Sequence, residues 1–128
     1  MAEQRRAVDA RILRRAIEAV SDIAMSPMVG KYIVGMTKHS LTKRLGPYRS
    51  IGGYNNIISI VDCLDSESAL DVEQHIFAKI HSDKLSMLYK KYAVWGRDKP
   101  YRRNSGGQPP SAELVHKVYV VWAANTDM

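Results

Sequence analysis

A single cysteine, Cys63, stands in the 128 residues, which excludes an internal disulfide framework and any cysteine-rich zinc site and suits a reducing compartment. Long apolar runs are missing as well. No apolar stretch, whether Ile57 to Val61 with Ser59 inside it or Val118 to Ala124, comes near the roughly 20 residues that a membrane span needs, and the arginines near the N-terminus are followed by no apolar segment of a signal peptide. These absences predict a soluble, intracellular protein with no membrane partner. Phosphate-loop chemistry is absent too: Gly52-Gly53 fits no such fingerprint, and there is no Walker lysine. His39, His75, His81 and His116 show no metal-ligand spacing and read as surface or packing residues. Between Ile23 and Val61 there is no acidic residue at all.

What is present is an ordinary globular composition, 45% apolar and 25% charged, with chain enough for one core, so residues 1–128 read as one domain. Nineteen Lys and Arg against thirteen Asp and Glu give a formal charge of +6, which makes an acidic partner plausible, nucleic acid before an anionic membrane surface. The charge is unevenly placed. Lys31, Lys38, Lys43, Arg44 and Arg49 fill the stretch without acids, and a second block holds Lys84, Lys90, Lys91, Arg97, Lys99, Arg102 and Arg103 against Asp98. Between the two lies an acidic block of Asp62, Asp65, Glu67, Asp71 and Glu73. Cations for a nucleic-acid strand beside carboxylate for a metal is what a phosphodiester-cleaving site needs; a solvated surface of uneven charge is the plainer reading.

Apolar residues at Val8, Ile12, Ala16 and Val20 predict a helix over residues 3–24, stopped at Ser26-Pro27. Tyr32-Ile33-Val34 reads as a short strand closed by Gly35. Ser40 caps a short helix that Gly46-Pro47 is expected to end. The largely apolar run Ile57 to Val61, with only Ser59 polar, suggests a strand inside a sheet covered on both faces, and Ser66 opens a helix to about His81, with another turn or two between Leu85 and Tyr92. Residues 97–111, rich in Gly, Pro and Arg, read as a flexible basic loop, and residues 117–123 as the most strand-prone segment of the chain. The expected class is α+β: a small, three-stranded, mostly antiparallel sheet flanked by helices, with an added N-terminal helix.

One carboxylate falls where an apolar residue is expected. On a helical wheel Ala69, Ile76, Phe77 and Ile80 lie at about 0°, −20°, 80° and 20°, and Glu73 at about 40°, in the middle of that face. Burying it alone costs several kcal/mol, so a cation, a metal or a hydrogen-bond cluster is expected beside it, Arg44 or a lysine being the structural option. Arg44 itself carries a fork suited to a phosphate oxygen, although a plain surface arginine has the same sequence. Tyr32 packs on a sheet or approaches a ligand beside Gly35.

Taken in order, Gly35-Met36-Thr37 after a strand, KRLGPY at 43–48, NIISIV at 56–61 and SALDVEQHI at 68–76 resemble the GIY-YIG nuclease domain. KRLGPY and ALDVE look like the nucleotide-excision-repair branch of that family. The resemblance covers about residues 28–80. It implies a three-stranded antiparallel sheet flanked by helices and DNA cleavage with one divalent ion, Mg²⁺ or Mn²⁺. It also implies that Arg44 holds the scissile phosphate, that Tyr48 fills the aromatic position one turn later, and that Glu73 is the metal-ligating glutamate. The sequence departs from the pattern twice. Tyr32 stands one place early relative to the YIG triplet, Ile33-Val34-Gly35, and a one-residue offset turns a strand side chain to the other face. No GIY strand precedes it, while Val118-Tyr119-Val120 looks like one, which implies a circularly permuted domain with Tyr119, otherwise Tyr32, as the base. Lys38 or Arg44 would then have to favour its phenolate. Lys38, Lys43, Arg49, Lys99, Arg102 and Arg103 are the expected DNA-backbone contacts. The expected function is a metal-dependent DNA endonuclease; the alternatives are a catalytically silent nucleic-acid-binding module of the same fold and a protein-interaction domain using the N-terminal helix.

Overall fold

The computed structural model describes residues 9–92 and 112–124. Helix α1 spans Ala10–Met25; Asp9 caps it by accepting the Ile12 N–H at 3.0 Å, and Ala16, Val20 and Ala24, four apart, form its buried stripe. The helix expected over residues 3–24 thus starts only at Ala10, Asp9 being extended (φ −97°, ψ 174°) so that its side chain can cap, and residues 3–8 lie outside the described residues. Strand β1 is Val29–Thr37 and runs two residues past Gly35, where a shorter strand was expected to close.

Helix α2, Leu41–Gly52, starts as expected on a Ser40 cap but continues through Gly46-Pro47. The proline ring removes the bond to the Lys43 carbonyl, yet Lys43 and Pro47 are both exposed, so water can take that carbonyl. Leu45 and Tyr48, packed on the sheet, hold the two halves of the helix in line. The true stop is Gly53, left-handed at φ 76°.

Strand β2 is Tyr54–Leu64, helix α3 Ser66–His81 on an Asp65 cap, helix α4 Met87–Lys90, and strand β3 His116–Ala124. The sheet order is β1-β3-β2 with both pairings antiparallel. The run Ile57–Val61 therefore lies on an edge strand and not inside the sheet, with Ile58 40% exposed, although both its faces are covered in part, Ile60 and Val61 joining the α1 and α3 side and Ile57 the α2 side. The doubly covered strand is β3, whose Val118, Tyr119, Val120 and Val121 are all fully buried. Its period of two divides them. Val118 and Val120 join Val34 and Tyr32 against α1, α3 and α4 on one face. Tyr119, Val121 and Ala123 join Ile33 and Tyr54 on the other, under Leu45 of α2. At the outer edge of β1 the Tyr32 N–H donates to the Lys91 carbonyl at 2.9 Å, so Lys91 and Tyr92 cover part of that edge. The α+β class, the three-stranded antiparallel sheet and the added N-terminal helix stand as expected.

Candidate active site

The C-terminal strand pairs with residues 31–35, as the permuted order requires: Lys31 faces Ala123, Ile33 faces Val121 and Gly35 faces Tyr119. On the far side of Tyr119 stands Ser59 of β2. Tyr119 thus projects from the central strand toward α2. Arg44 and Tyr48, four residues apart on one side of that helix, come down on it.

Arg44 Nε donates to the Tyr119 hydroxyl at 2.9 Å, across 75 residues of chain. The Tyr48 and Tyr119 hydroxyls share a hydrogen bond of 2.8 Å, and the Arg44 guanidinium lies 5.4 Å from the centre of the Tyr48 ring. Tyr48 also packs edge-on against Tyr54, with centroids 6.0 Å apart. Burial pushes the Tyr119 phenol well above the ordinary tyrosine range, Tyr48 adds to this, and the hydrogen bond and charge of Arg44 only partly oppose it. Arg44 is the cation beside the phenol, as the resemblance required, but it does not produce a resting phenolate. The Arg44 guanidinium is itself held charged, first by its bond to Tyr119.

Gly35 makes the arrangement possible. A Cβ there would stand 2.5 Å from the Tyr119 hydroxyl oxygen, so the phenol occupies the space a side chain would fill. Gly35→Ala is expected to expel the Tyr119 hydroxyl from between Arg44 and Tyr48 and to lower stability by about 1–3 kcal/mol through overpacking. Thermal unfolding and DNA nicking check this; an unchanged midpoint with unchanged nicking would contradict the geometry.

Tyr32 is not brought to this cluster. Its ring is fully buried on the opposite face of the sheet, its hydroxyl donates to the Leu88 carbonyl, and it meets Tyr92 edge-on at 5.4 Å. The offset of one residue that separates it from the YIG pattern is what turns it away.

Glu73 also lies apart, on α3, which packs on the face opposite α2. It is half-buried among Ala69, Val72, Ile76 and Ile80, and this desolvation pushes its carboxyl up to about 7. Among the described residues it has no hydrogen bond or ion pair, so the expected structural pair with Arg44 or a lysine is not formed. Its electrostatic neighbour is Tyr92, whose phenol is raised first by burial, then by Glu73, and further by Tyr48 and Tyr54. The Tyr92 ring itself packs with Tyr32, Phe77 and His81, on the face of the sheet away from α2. No group of three or more His, Cys, Asp or Glu side chains suited to a metal occurs among the described residues. Mg²⁺ is commonly bound through one or two carboxylates together with waters and substrate phosphates; Glu73 offers one carboxylate, from a desolvated position on an apolar helix face.

Lys38, Lys43 and Arg49 are exposed around α2. Lys99, Arg102 and Arg103, with the whole of residues 97–111, lie outside the described residues. The His75, His81 and His116 rings each bond a backbone carbonyl three or four residues back, in keeping with surface and packing roles. No helix among the described residues is long and apolar enough to cross a membrane. Comparison of the chain with protein-family models, with curated proteins and with solved structures finds no match.

Proposed function

We propose that this protein is an intracellular, metal-dependent endonuclease that hydrolyses DNA phosphodiester bonds, a GIY-YIG-type domain in permuted order with a place in DNA repair. The observation that carries the reading is the Arg44–Tyr119–Tyr48 cluster, assembled across 75 residues of chain, with Arg44 and Tyr48 in a stretch without acidic residues. Arg44, exposed beyond its bond to Tyr119, holds the oxygens of the scissile phosphate.

The tyrosine pair moves the proton of the attacking water. The Tyr119 oxygen has two lone pairs and one proton. One lone pair accepts Arg44 Nε–H, which polarises the hydroxyl and favours Tyr119 as donor to Tyr48; the other is left for the attacking water, which reaches it only when the cluster opens, Tyr119 being fully buried at rest. As the water oxygen bonds to phosphorus, its proton passes to Tyr119, that of Tyr119 to Tyr48, and that of the half-buried Tyr48 to solvent. Each phenol gains and loses one proton, so neither exists as the phenolate that burial disfavours. Glu73 is the carboxylate that would hold a Mg²⁺ or Mn²⁺ ion, whose chemistry is to neutralise phosphate charge and acidify water; because α3 packs on the face of the sheet opposite α2, no step of the proton relay is routed through it.

A second reading, a catalytically silent nucleic-acid-binding module, is favoured by one observation: Glu73 makes no contact with Arg44, Tyr48 or Tyr119 among the described residues. Incubation of the full chain with supercoiled plasmid, with and without Mg²⁺, separates the two. Mg²⁺-dependent nicking supports the enzyme, and binding without nicking supports the module.

A further inference from the structure

Lys117 stands two residues before Tyr119 on β3, and the period of a strand puts both side chains on one face, about 7 Å apart along the chain. Its register partner is Thr37, the last residue of β1, where the chain turns toward α2. Lys117 Nζ donates to the His39 carbonyl at 3.1 Å, across 78 residues. The ammonium is therefore anchored over the entrance to α2, the helix that delivers Arg44. That carbonyl takes one of its three N–H groups and brings no net charge. Among the described residues no carboxylate pairs with Lys117, nor with Lys38 or Lys43 beside it, and residues 23–61 contain no acid.

The geometry points to Lys117 as a phosphate-binding residue of the site, holding the DNA phosphate next to the one that Arg44 takes. This rests on the proposed action on DNA. An anchored point charge suits that role, since it needs no bidentate alignment and the His39 carbonyl keeps it oriented before DNA arrives. Lys117 sets the register of the strand on the site and touches no reacting atom.

The test is binding of labelled duplex DNA to the full chain over a range of salt concentrations, for the parent, Lys117→Gln and Lys117→Arg. One phosphate contact contributes about 0.9 to the slope of log K against log salt. The expected result is a slope smaller by about that amount for Lys117→Gln and a parental slope for Lys117→Arg, with the nicking KM raised and kcat little changed in Lys117→Gln. A lysine that only braced the His39 loop would leave the slope unchanged, and that result overturns the inference. A second measurement needs no variant: in the parent, duplex DNA should protect Lys117 Nζ from acetylation at low salt and not at high salt, and equal labelling with and without DNA overturns the inference as well. A parent that neither binds nor nicks DNA overturns the nuclease reading itself, whereas a parent that nicks DNA while Lys117→Gln keeps its slope overturns only the role of Lys117.

Discussion

Arg44→Lys is expected to slow plasmid nicking about 10²–10³-fold, the loss typical of removing one preorganised donor from a developing anionic charge. Lysine keeps the positive charge but loses the planar fork that binds Tyr119 through Nε and leaves the guanidinium ends for a phosphate. The cut should appear in kcat, with DNA binding at low salt changed only modestly. Because Arg44 is exposed beyond its contacts with Tyr119 and Tyr48, the thermal midpoint should move little. Nicking rates and unfolding curves measured together check this; parental nicking by Arg44→Lys would mean that the fork contacts no reacting phosphate.

Glu73→Gln is expected to abolish Mg²⁺-dependent nicking and, unusually for a change in a core-facing residue, to stabilise the protein at alkaline pH. The sign follows from the direction of the shift. Burial raises the carboxyl from 4.5 to about 7. Below pH 4.5 the folded and unfolded chains are both protonated at this group, and it costs nothing. Between the two values the unfolded chain gives up the proton first, so stability falls as pH rises, and above about 7 the cost is complete, at most about 3 kcal/mol. Glutamine stays neutral throughout. The difference in midpoint between Glu73→Gln and the parent should thus be near zero at about pH 4 and grow to several degrees by about pH 8. Millimolar Mg²⁺ should narrow that difference by stabilising the parent alone. A difference that does not change with pH would show the carboxyl to be solvated and ordinary.

The sequence made α1 and α3 legible because each carries an apolar stripe at helical spacing, and Glu73 stood out as the exception on such a stripe; the Asp9 cap that starts α1 at Ala10 was not legible, since the stripe runs back through Val8. The strand at residues 117–123 was legible by its β-branched and aromatic density, and its parity puts Tyr119 and Lys117 on a common face. Two local rules failed for tertiary reasons. Pro47 does not end α2, because Leu45 and Tyr48 pack on the sheet across the broken bond. Ile57–Val61 lies on an edge strand although apolar at every position but Ser59, because the centre of the sheet is filled by β3 from far along the chain, and one-dimensional periodicity carries no strand order. The partnership of Arg44 with Tyr119 was reachable only through the family resemblance, since 75 residues separate them. The place of Tyr92 against Tyr32 and Phe77 depends on how the chain after α4 returns to the edge of β1, and no local pattern encodes that return.

The central claim is that the buried Tyr119 hydroxyl, held by Arg44 and Tyr48, passes the proton of the attacking water. Nicking of supercoiled plasmid in Mg²⁺ by the parent and by Tyr119→Phe tests it most directly, because phenylalanine keeps the ring in its fully buried site and removes only the oxygen. The account predicts Mg²⁺-dependent nicking by the parent and a loss of at least about a hundredfold in Tyr119→Phe, with DNA binding retained. Equal nicking by the two proteins, or none by the parent, would contradict it.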